Sequence, residues 1–480
     1  MIGARDAELE AAVQRALAAA KQTGEIQFAA LQREAEPCDP LAAFASARAS
    51  ERGTERGTER FYWERPAQAR ALAAFGRAAA IEPTGEARFE AAATRAARLF
   101  ASVHLAARTA PAWAGPLLVG GFSFSSRTSE QAHWRGFASS RLILPELAIS
   151  SCGSRCWWTA VRPVASTDDP LAIARDLHER LLDAGRSLAA PGWLEAPPEA
   201  SQDAPAEFRV SADRGHGEYR ALVAAALREI AAGSFEKVVL ARSVAVRARR
   251  DHDEVALLRA LRRDHPSCAV FAIASAEGAF LGATPECLVR MGEGRVETAS
   301  VAGSAPRGRS PEEDRELGRR LRESKKEQAE HAVVVRTLCE ALAPHCEDLD
   351  VREAPRLMRL QDIQHLETPI AGRLRAPISI LELLGSLHPT PALAGAPREA
   401  ALRWLADNER LDRGWYGGPV GFVDCEGGGE FYAALRSAIV RGDEARLFAG
   451  AGIVAGSDPL AELAETRLKL RAMLAPLLEI

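Results

Sequence analysis

Two pairs of glutamates, each with members three residues apart, are the first feature of the sequence that could do chemistry. Glu327 and Glu330 lie in one charged segment, and Glu462 and Glu465 lie in another. Residues three apart share one face of a helix, so each segment predicts a helix that presents two carboxylates side by side. If the two faces meet, they repel each other unless a cation lies between them. Oxygen ligands with room for water suit Mg²⁺.

Each glutamate pair also has an ordinary structural explanation. Ser324 and Glu327 fit a capping box at the start of a helix, and Glu465 and Lys469 fit an i,i+4 ion pair. Taken alone, either pair therefore predicts no more than a solvated acidic helix face. The metal hypothesis depends on the motifs that lie between the two pairs.

A lysine and a glutamate in strand-like surroundings are candidates for proton transfer. Lys237 opens the apolar segment KVVLA, and Glu286 follows a Thr-Pro turn in GATPECLVR. A lysine, whose pKa is ordinarily about 10.4, acts as a base near neutral pH only where burial or nearby cations lower that pKa. A glutamic acid at a sheet edge can donate a proton if its pKa is raised. From spacing alone, the simpler interpretation is an edge-strand charge and a solvated turn residue.

Three glycine-rich segments expose backbone N–H groups that could bind a small anion. They are VAGSAPRG (301–308), RGWYGGPVG (413–421) and AGAGIVAGSDP (449–459), and none is a Walker loop or a dinucleotide-binding GxGxxG. Arg436 lies in the strand-like segment ALRSAIV, and arginine suits bidentate binding of a carboxylate. Tight turns and a surface arginine are the alternative interpretation.

The stretch LHPTPALAGAP (387–397) crowds three prolines and a glycine into eleven positions and begins with His388 after one leucine. It predicts a loop that is either an ordinary surface connection or part of a binding site. A lone histidine in a loop is more often structural or a substrate contact than a base. Lys237 is already a candidate for the base.

The elements that position these residues favour a mixed fold. Strand-like segments come in runs and helical segments come in runs, which is typical of an α+β fold with antiparallel sheets rather than a parallel βαβ fold. The repeat ERGTERGTER (51–60) predicts a mobile polar loop, and the Pro- and Ala-rich segment 189–208 predicts a linker. We therefore expect an N-terminal region, 1–208, and a catalytic domain, 209–480.

The composition excludes several classes of partner. The chain has 480 residues and a net charge of -4, from 61 Lys+Arg against 65 Asp+Glu, so nothing calls for nucleic acid or an anionic membrane surface. No secretory signal or apolar run long enough to cross a bilayer is present. Eight scattered cysteines without zinc-like spacing predict reduced thiols and a cytoplasmic location.

Taken in order, the motifs resemble those of the chorismate-utilising enzymes. The matching stretches run from about residue 213 to the end and include FEKVVLAR, LGATPECLVR, VETASVAGSAPRG, SKKEQAEHAVVV, LHPTPALAGAP, RGWYGGPVGFVD and AGAGIVAGSDPLAELAETRLK. The N-terminal part resembles the variable N-terminal region of the family more weakly. The resemblance implies large antiparallel sheets wrapped by helices and a deep Mg²⁺-dependent site for chorismate.

The resemblance also implies roles for single residues. Glu330 and Glu465 would be the nearest Mg²⁺ ligands, with Glu327 and Glu462 beside them, and the metal would hold the ring carboxylate of chorismate. Ser304 stands where the family commonly has threonine, which keeps the hydroxyl. The residues that would bind the substrate are Gly303, Ser304, His388, Ala392, Tyr416, Arg436, Gly450, Gly452 and Lys469.

Three positions distinguish branches of the family. Lys237 stands where anthranilate synthases carry Gln, which implies that water rather than ammonia attacks C2; Glu286 would protonate the departing C4 hydroxyl. Ala302 stands where aminodeoxychorismate synthases have a nucleophilic lysine. Ala392 stands where salicylate synthases typically have Thr. The resemblance therefore implies conversion of chorismate to isochorismate, with salicylate synthesis as the alternative.

The same resemblance bears on partners and pathway. The chain contains no glutamine amidotransferase motif, so no amidotransferase subunit is expected, and many relatives act as monomers. Isochorismate begins menaquinone, catecholate siderophore and salicylate biosynthesis. The sequence does not choose among these routes.

Overall fold

The computed structural model describes residues 2–50, 59–106, 110–189 and 208–479. The predicted polar repeat, apart from its last two residues, and nearly all of the predicted linker lie outside the described residues. Two large β-sheets, flanked by helices, make up the described structure. The prediction of an α+β fold with large antiparallel sheets is confirmed.

The larger sheet has thirteen strands within the described residues. Its order is β10-β11-β23-β22-β13-β12-β2-β3-β8-β9-β1-β5, with β19 beside β11. Strands β1 and β5 run parallel, and the other described pairings are antiparallel. The strands are β1 (Gln27–Ala35), β2 (Arg60–Arg65), β3 (Arg70–Phe75), β5 (Val103–Leu105), β8 (Leu147–Cys152), β9 (Arg155–Val164), β10 (Arg209–Ala212), β11 (Lys237–Arg247), β12 (Ala269–Ser275), β13 (Gly278–Thr284), β19 (Gly395–Ala396), β22 (Ser437–Arg441) and β23 (Glu444–Val454).

The second sheet has ten strands within the described residues, in the order β16-β18-β15-β14-β21-β20-β6-β7-β4, with β17 beside β18. The strands are β4 (Ala79–Ile81), β6 (Leu117–Phe122), β7 (Ser140–Leu144), β14 (Cys287–Gly292), β15 (Arg295–Pro306), β16 (Cys346–Val351), β17 (Arg356–Arg359), β18 (Ile363–Leu374), β20 (Pro419–Asp424) and β21 (Gly429–Ala433).

Both sheets draw strands from both parts of the chain. Strand β2 pairs with β12 in the larger sheet, and β6 pairs with β20 in the second sheet. Apolar side chains of the two sheets pack against each other. The ring of Trp63 in the larger sheet makes an edge-to-face contact with the ring of Phe422 in the second sheet, with 5.4 Å between ring centroids. Such aromatic contacts dominate the burial that holds two sheets together.

Eleven α-helices within the described residues surround the sheets, and two of them carry the predicted glutamate pairs. They are α1 (Ile2–Thr23), α2 (Pro40–Ser50), α3 (Arg88–Ala101), α4 (Pro170–Ala189), α5 (His216–Ala231), α6 (Glu254–Asp264), α7 (Pro311–Glu323), α8 (Lys325–Leu342), α9 (Ile380–Leu387), α10 (Arg398–Asn408) and α11 (Pro459–Glu479). No helix among the described residues combines the length and apolar character that crossing a bilayer requires.

The start of α8 follows from its sequence. Ser324 separates α7 from α8 with an extended backbone, and its hydroxyl accepts a hydrogen bond from the backbone N–H of Glu327 at 3.4 Å. The capping predicted for Ser324 is therefore observed. It stabilises the start of the helix because the serine hydroxyl accepts from an N–H that has no partner within the helix. The cap sets the direction in which Glu327 and Glu330 project from the first turn and a half of α8.

Candidate active site

A cavity that is partly open to solvent lies where β11 and β23 of the larger sheet approach β15 and β18 of the second sheet. Eleven of the residues proposed from sequence line it: Lys237, Glu286, Gly303, Ser304, Glu330, Ala392, Tyr416, Arg436, Gly450, Gly452 and Lys469.

Lys237 is the first residue of β11, and its side chain is 1% exposed. Its Nζ lies 3.0 Å from Oε1 of Glu330, a carboxylate oxygen of the acidic helix α8. Gly452 of β23 makes room for this pair, since a Cβ at that position would lie 2.2 Å from the same Oε1. Any side chain at position 452 would therefore push Glu330 away from Lys237.

Glu286 is buried between β13 and β14, at the other side of the cavity lining. Its backbone is held by Thr284, whose Oγ1 accepts from the Glu286 N–H at 3.3 Å, and by Ala433, whose N–H donates to the Glu286 carbonyl at 3.0 Å. Burial raises the pKa of Glu286 to about 7, although the cations of Lys237, Lys469 and Arg436 oppose the shift. Near neutral pH this carboxyl group therefore holds a proton that it can give away.

His365 of β18 connects Arg436 to the glycine-rich strand β15. Nη2 of Arg436 donates to Nε2 of His365 at 2.6 Å, and Nδ1 of His365 lies 3.1 Å from both the Gly303 carbonyl and the Ser304 hydroxyl. Burial, and then Arg436, hold the pKa of His365 well below its ordinary value, so the ring is neutral. Since the guanidinium only donates, the proton lies on Nδ1 and is donated to Gly303.

A β-bulge in β15 creates the turn that the site needs at Gly303. The register with β18 shifts between Ala302 and Ser304, and Gly303 takes a left-handed φ of 77° that favours glycine. The bulge turns the Ser304 N–H toward Oε2 of Glu327, to which it donates at 3.0 Å. Glu327 is thus bound to the wall of the cavity, although its own side chain is not part of the lining.

Tyr416 and Lys469 also line the cavity. The ring of Tyr416 stacks on Phe448 at 5.2 Å, and burial raises the pKa of its hydroxyl well above the ordinary value, so it stays a neutral hydrogen-bond donor. Lys469 donates to the Gly450 carbonyl at 2.9 Å and pairs with Glu465 at 2.7 Å. The i,i+4 pair predicted for α11 is therefore observed, and it directs an ammonium into the cavity.

The two glutamate pairs lie close to each other, and a lysine of the chain itself lies between them. Nζ of Lys326 is 2.8 Å from Oε1 of Glu462 and 3.1 Å from Oε1 of Glu327. Burial, followed by the neighbouring carboxylates Glu330 and Glu465 respectively, raises the pKa values of Glu327 and Glu462. Lys326 was not singled out by sequence reasoning, because its role depends on contact with α11.

The acidic cluster has the chemistry of a site for a hard cation. Glu462 is 1% exposed, and its Oε2 is buried with no hydrogen-bond partner among the described residues, which is costly for a carboxylate oxygen. The glutamates of the two helices offer oxygen ligands only, and Mg²⁺ is commonly bound through one or two carboxylates together with water. As the side chains stand in the described residues, no three acidic, histidine or cysteine groups converge closely enough to hold a metal ion. Lys326 and Lys469 are paired with carboxylates of this cluster.

The LHPTPALAGAP stretch runs beside the strand that carries Lys237. Ala396 accepts from the Glu236 N–H and Ala394 accepts from the Val239 N–H, both at 2.8 Å. Ala392 lines the cavity, whereas His388 does not. Instead Nε2 of His388 donates to the Phe124 carbonyl at 3.0 Å, and burial lowers the pKa of this histidine to about 3. A neutral His388 thus holds the loop to the backbone of Phe124 and does not line the cavity.

A buried ion pair ties the same loop to β11. Arg413 forms two 2.7 Å hydrogen bonds with the carboxylate of Glu409, and it also donates to the carbonyls of Leu393 at 2.8 Å and Val239 at 2.7 Å. Glu409 in turn accepts from the backbone N–H of Ala241 at 2.6 Å. Because each hydrogen bond joins a different segment, Arg413 holds the wall beside Ala392 at a set distance from the strand of Lys237.

Replacing Arg413 by methionine leaves Glu409 as an unpaired buried charge, and we expect the free energy of unfolding to fall by about 3–5 kcal/mol. Urea unfolding followed by circular dichroism measures it. The matched control is Arg403→Met, at an exposed position of α10, which changes stability by less than about 0.5 kcal/mol. Adding Glu409→Gln to Arg413→Met should restore part of the loss. Equal stability of Arg413→Met and Arg403→Met would contradict the role of Arg413 as the buried partner of Glu409.

The fold and this site together define the class of protein. A family model described as "Chorismate binding enzyme" matches residues 13–478, so the chain belongs to the chorismate-binding enzymes. The match extends well into the N-terminal region, where the sequence motifs are weak.

Named relatives narrow the comparison. The chain is 36% identical to the salicylate biosynthesis isochorismate synthase of Pseudomonas aeruginosa, over 97% of this chain and 93% of that protein. It is 30% identical to the isochorismate synthase MenF of Bacillus subtilis, over 97% and 96% of the two chains. The solved structure of MenF, the menaquinone-specific isochorismate synthase of Escherichia coli, superimposes with a TM-score of 0.73 at 25% identity, covering 97% of this chain and 100% of that one.

Proposed function

We propose that this protein is an isomerase that converts chorismate to isochorismate. The observation that carries the proposal is the lining of one cavity by a buried lysine and a buried glutamic acid with a pKa raised to about 7. One group takes a proton and the other gives one, which is what exchanging a hydroxyl between two ring positions needs. The relatives named isochorismate synthase that align over nearly the whole chain support it.

The reaction adds one water and loses one water, so substrate and product are isomers. Lys237 takes a proton from the water whose oxygen bonds to C2, and the ring double bond shifts. Glu286 gives its proton to the hydroxyl that leaves C4. A reacting water and a leaving hydroxyl on one ring call for two separate groups, and the cavity lining offers Lys237 and Glu286.

Cations and donors of the cavity bind the two carboxylates of chorismate. Arg436, held by His365, is suited to bidentate binding, and Tyr416 and Lys469 add a hydroxyl and an ammonium. The positive φ of Gly303 opens the backbone beside them. We propose that Ser304, Gly450 and Gly452 shape the same surface, and that His388 positions the loop.

We propose Mg²⁺ as the cofactor, held by Glu330 and Glu465 with Glu327 and Glu462 beside them. Bound there, Mg²⁺ supplies positive charge for the ring carboxylate of the substrate. The chain's own contribution is the negative charge of α8 and α11, which Lys326 and Lys469 balance in part. Because water is the nucleophile in this proposal, no amidotransferase subunit is needed to supply ammonia. We propose that the protein acts as a monomer.

The direct test is incubation of the purified protein with chorismate, with Mg²⁺ and with excess chelator, followed by chromatography of the products. Isochorismate in the Mg²⁺ reaction, and its loss with chelator, are the expected results. Salicylate as the main product, without an added lyase, contradicts the proposal. Isochorismate formed equally well in chelator leaves the isomerase proposal standing and contradicts the metal assignment.

The methyl group of Ala392 is expected to help the reaction stop at isochorismate. Ala392→Thr places a hydroxyl in the cavity lining, and we expect the fraction of side products, salicylate or pyruvate, to rise about tenfold, a change of about 1.4 kcal/mol in relative barriers. Chromatography of products at equal substrate conversion measures the ratio. Ala392→Ser separates the effect of the hydroxyl from that of bulk. An unchanged product spectrum in both variants argues against this role.

A further inference from the structure

Two cysteines remote in sequence face each other outside the cavity. Cys38 lies between β1 and α2, and Cys156 lies on β9, where Ala35 is its partner across the sheet. Their Sγ atoms are 3.5 Å apart, a thiol–thiol contact. Neither residue lines the cavity described above. The register of β1 on β9 therefore brings together two sulfurs that are 118 residues apart.

We propose that Cys38 and Cys156 form a site of reversible oxidation, in which a peroxide converts the two thiols to a disulfide. The sulfur–sulfur distance must shorten from 3.5 Å to the covalent length of about 2.0 Å, which is a small shift of two side chains that are already in contact.

The two members of the pair differ in the way that such a reaction needs. Cys38 is partly exposed, whereas Cys156 is fully buried, so a small peroxide reaches the pair from the side of Cys38. The hydrogen bond between the two sulfurs lowers the pKa of Cys156 against the effect of burial, whereas the same hydrogen bond and burial raise the pKa of Cys38. Cys156 is thus the group favoured as thiolate, which is the form that attacks a peroxide.

The chemistry balances with hydrogen peroxide as oxidant. The Cys156 thiolate attacks one oxygen of the peroxide, the O–O bond breaks, and a sulfenic acid and one water form. The sulfur of Cys38 then attacks the Cys156 sulfur, the S–O bond breaks, and a second water leaves with the proton of the Cys38 thiol. Two thiols lose two electrons and two protons in total, and the peroxide is reduced to two waters.

The position of the pair gives the disulfide a structural consequence. Asp39, next to Cys38, accepts from the Leu41 N–H at the start of α2 and pairs with Arg262 of α6 at 2.9 Å. A bond between Cys38 and Cys156 would fix this junction to β9 and constrain the unfolded chain over a long loop. We therefore expect oxidation to raise the unfolding temperature by about 5 °C, with kcat for chorismate unchanged.

The test is exposure of the purified protein to a small excess of hydrogen peroxide, followed by intact mass, peptide mapping and thermal unfolding. The expected result is loss of two hydrogen atoms, a peptide crosslink between Cys38 and Cys156, a higher unfolding temperature, and reversal of all three by dithiothreitol. Cys38→Ser should abolish crosslink and shift. Cys152→Ser, at an exposed cysteine beside the pair, should retain both.

Two results would overturn the proposal. One is a crosslink that uses Cys152 or another cysteine in the wild-type protein. The other is Cys38 and Cys156 remaining reduced, or reaching sulfinic acid without a crosslink, under conditions that oxidise Cys152. Because the wild-type protein answers both questions, a failure of Cys38→Ser to fold does not affect the outcome.

Discussion

Lys237→Ala should lower kcat/KM for chorismate by about 10³-fold, within the range of 10²–10⁴ expected for loss of a general base. A factor of 10³ corresponds to about 4 kcal/mol of transition-state stabilisation. The side chain is 1% exposed and lies 3.0 Å from Glu330, so alanine removes the amine from this part of the cavity lining. Steady-state kinetics with saturating Mg²⁺ and chromatographic detection of isochorismate measure the loss.

The control for this variant is Lys325→Ala, an exposed lysine at the start of α8. It removes a positive charge near the same acidic helix and should leave kcat/KM within about twofold. Circular dichroism and thermal unfolding check that Lys237→Ala still folds despite leaving Glu330 without its partner. Undiminished turnover in a folded Lys237→Ala protein would refute the assignment of Lys237 as base.

Glu286→Gln should lower kcat by about 10²–10⁴-fold, because glutamine keeps the shape and hydrogen bonding of a protonated glutamic acid but cannot give up a proton. Since the pKa of Glu286 is raised to about 7, the substitution replaces one neutral group by another when the pH is below that value, and little stability is lost there. Single-turnover kinetics isolate the chemical step from product release. Wild-type kcat in the variant would show that the C4 hydroxyl leaves without this acid.

The pH profile provides an independent test of the same residue. A general acid acts only when protonated, so activity that depends on Glu286 is present below its pKa and is lost as the pH rises above about 7. We expect log kcat/KM of the wild-type protein to fall with a slope of about −1 on that side. The residual activity of Glu286→Gln should lack this limb. A wild-type profile that stays flat to pH 9 would contradict the acid role.

Much of the site could be predicted from the sequence because it depends on local spacing and residue type. The i,i+3 glutamates, the Ser324 cap and the Lys469–Glu465 pair all follow from helical geometry within a few residues. Lys237 and Glu286 were found by their types in apolar segments and by resemblance, and the structure places both in one cavity lining.

Contacts across the fold could not be predicted. No local sequence pattern marks His365 as a site residue. Its Nε2 nevertheless accepts a hydrogen bond at 2.6 Å from Nη2 of Arg436, which is 71 residues away in sequence. His388 stands in a conspicuous motif, and the fold turns it toward Phe124 and away from the substrate space. In each case the partner is set by the packing of segments that are distant along the chain, which no local pattern encodes.

The sequence by itself determined the family and the α+β class, and it singled out the candidate acid, the candidate base and the glutamate pairs, because these depend on residue types and on helix and strand periods. Only the tertiary structure decided that the acidic helices are balanced by Lys326, that burial raises the pKa of Glu286 to about 7, and that Cys38 meets Cys156. Charge balance, desolvation and sulfur contact all depend on distances between residues that are far apart in sequence. The packing of the folded chain sets these distances.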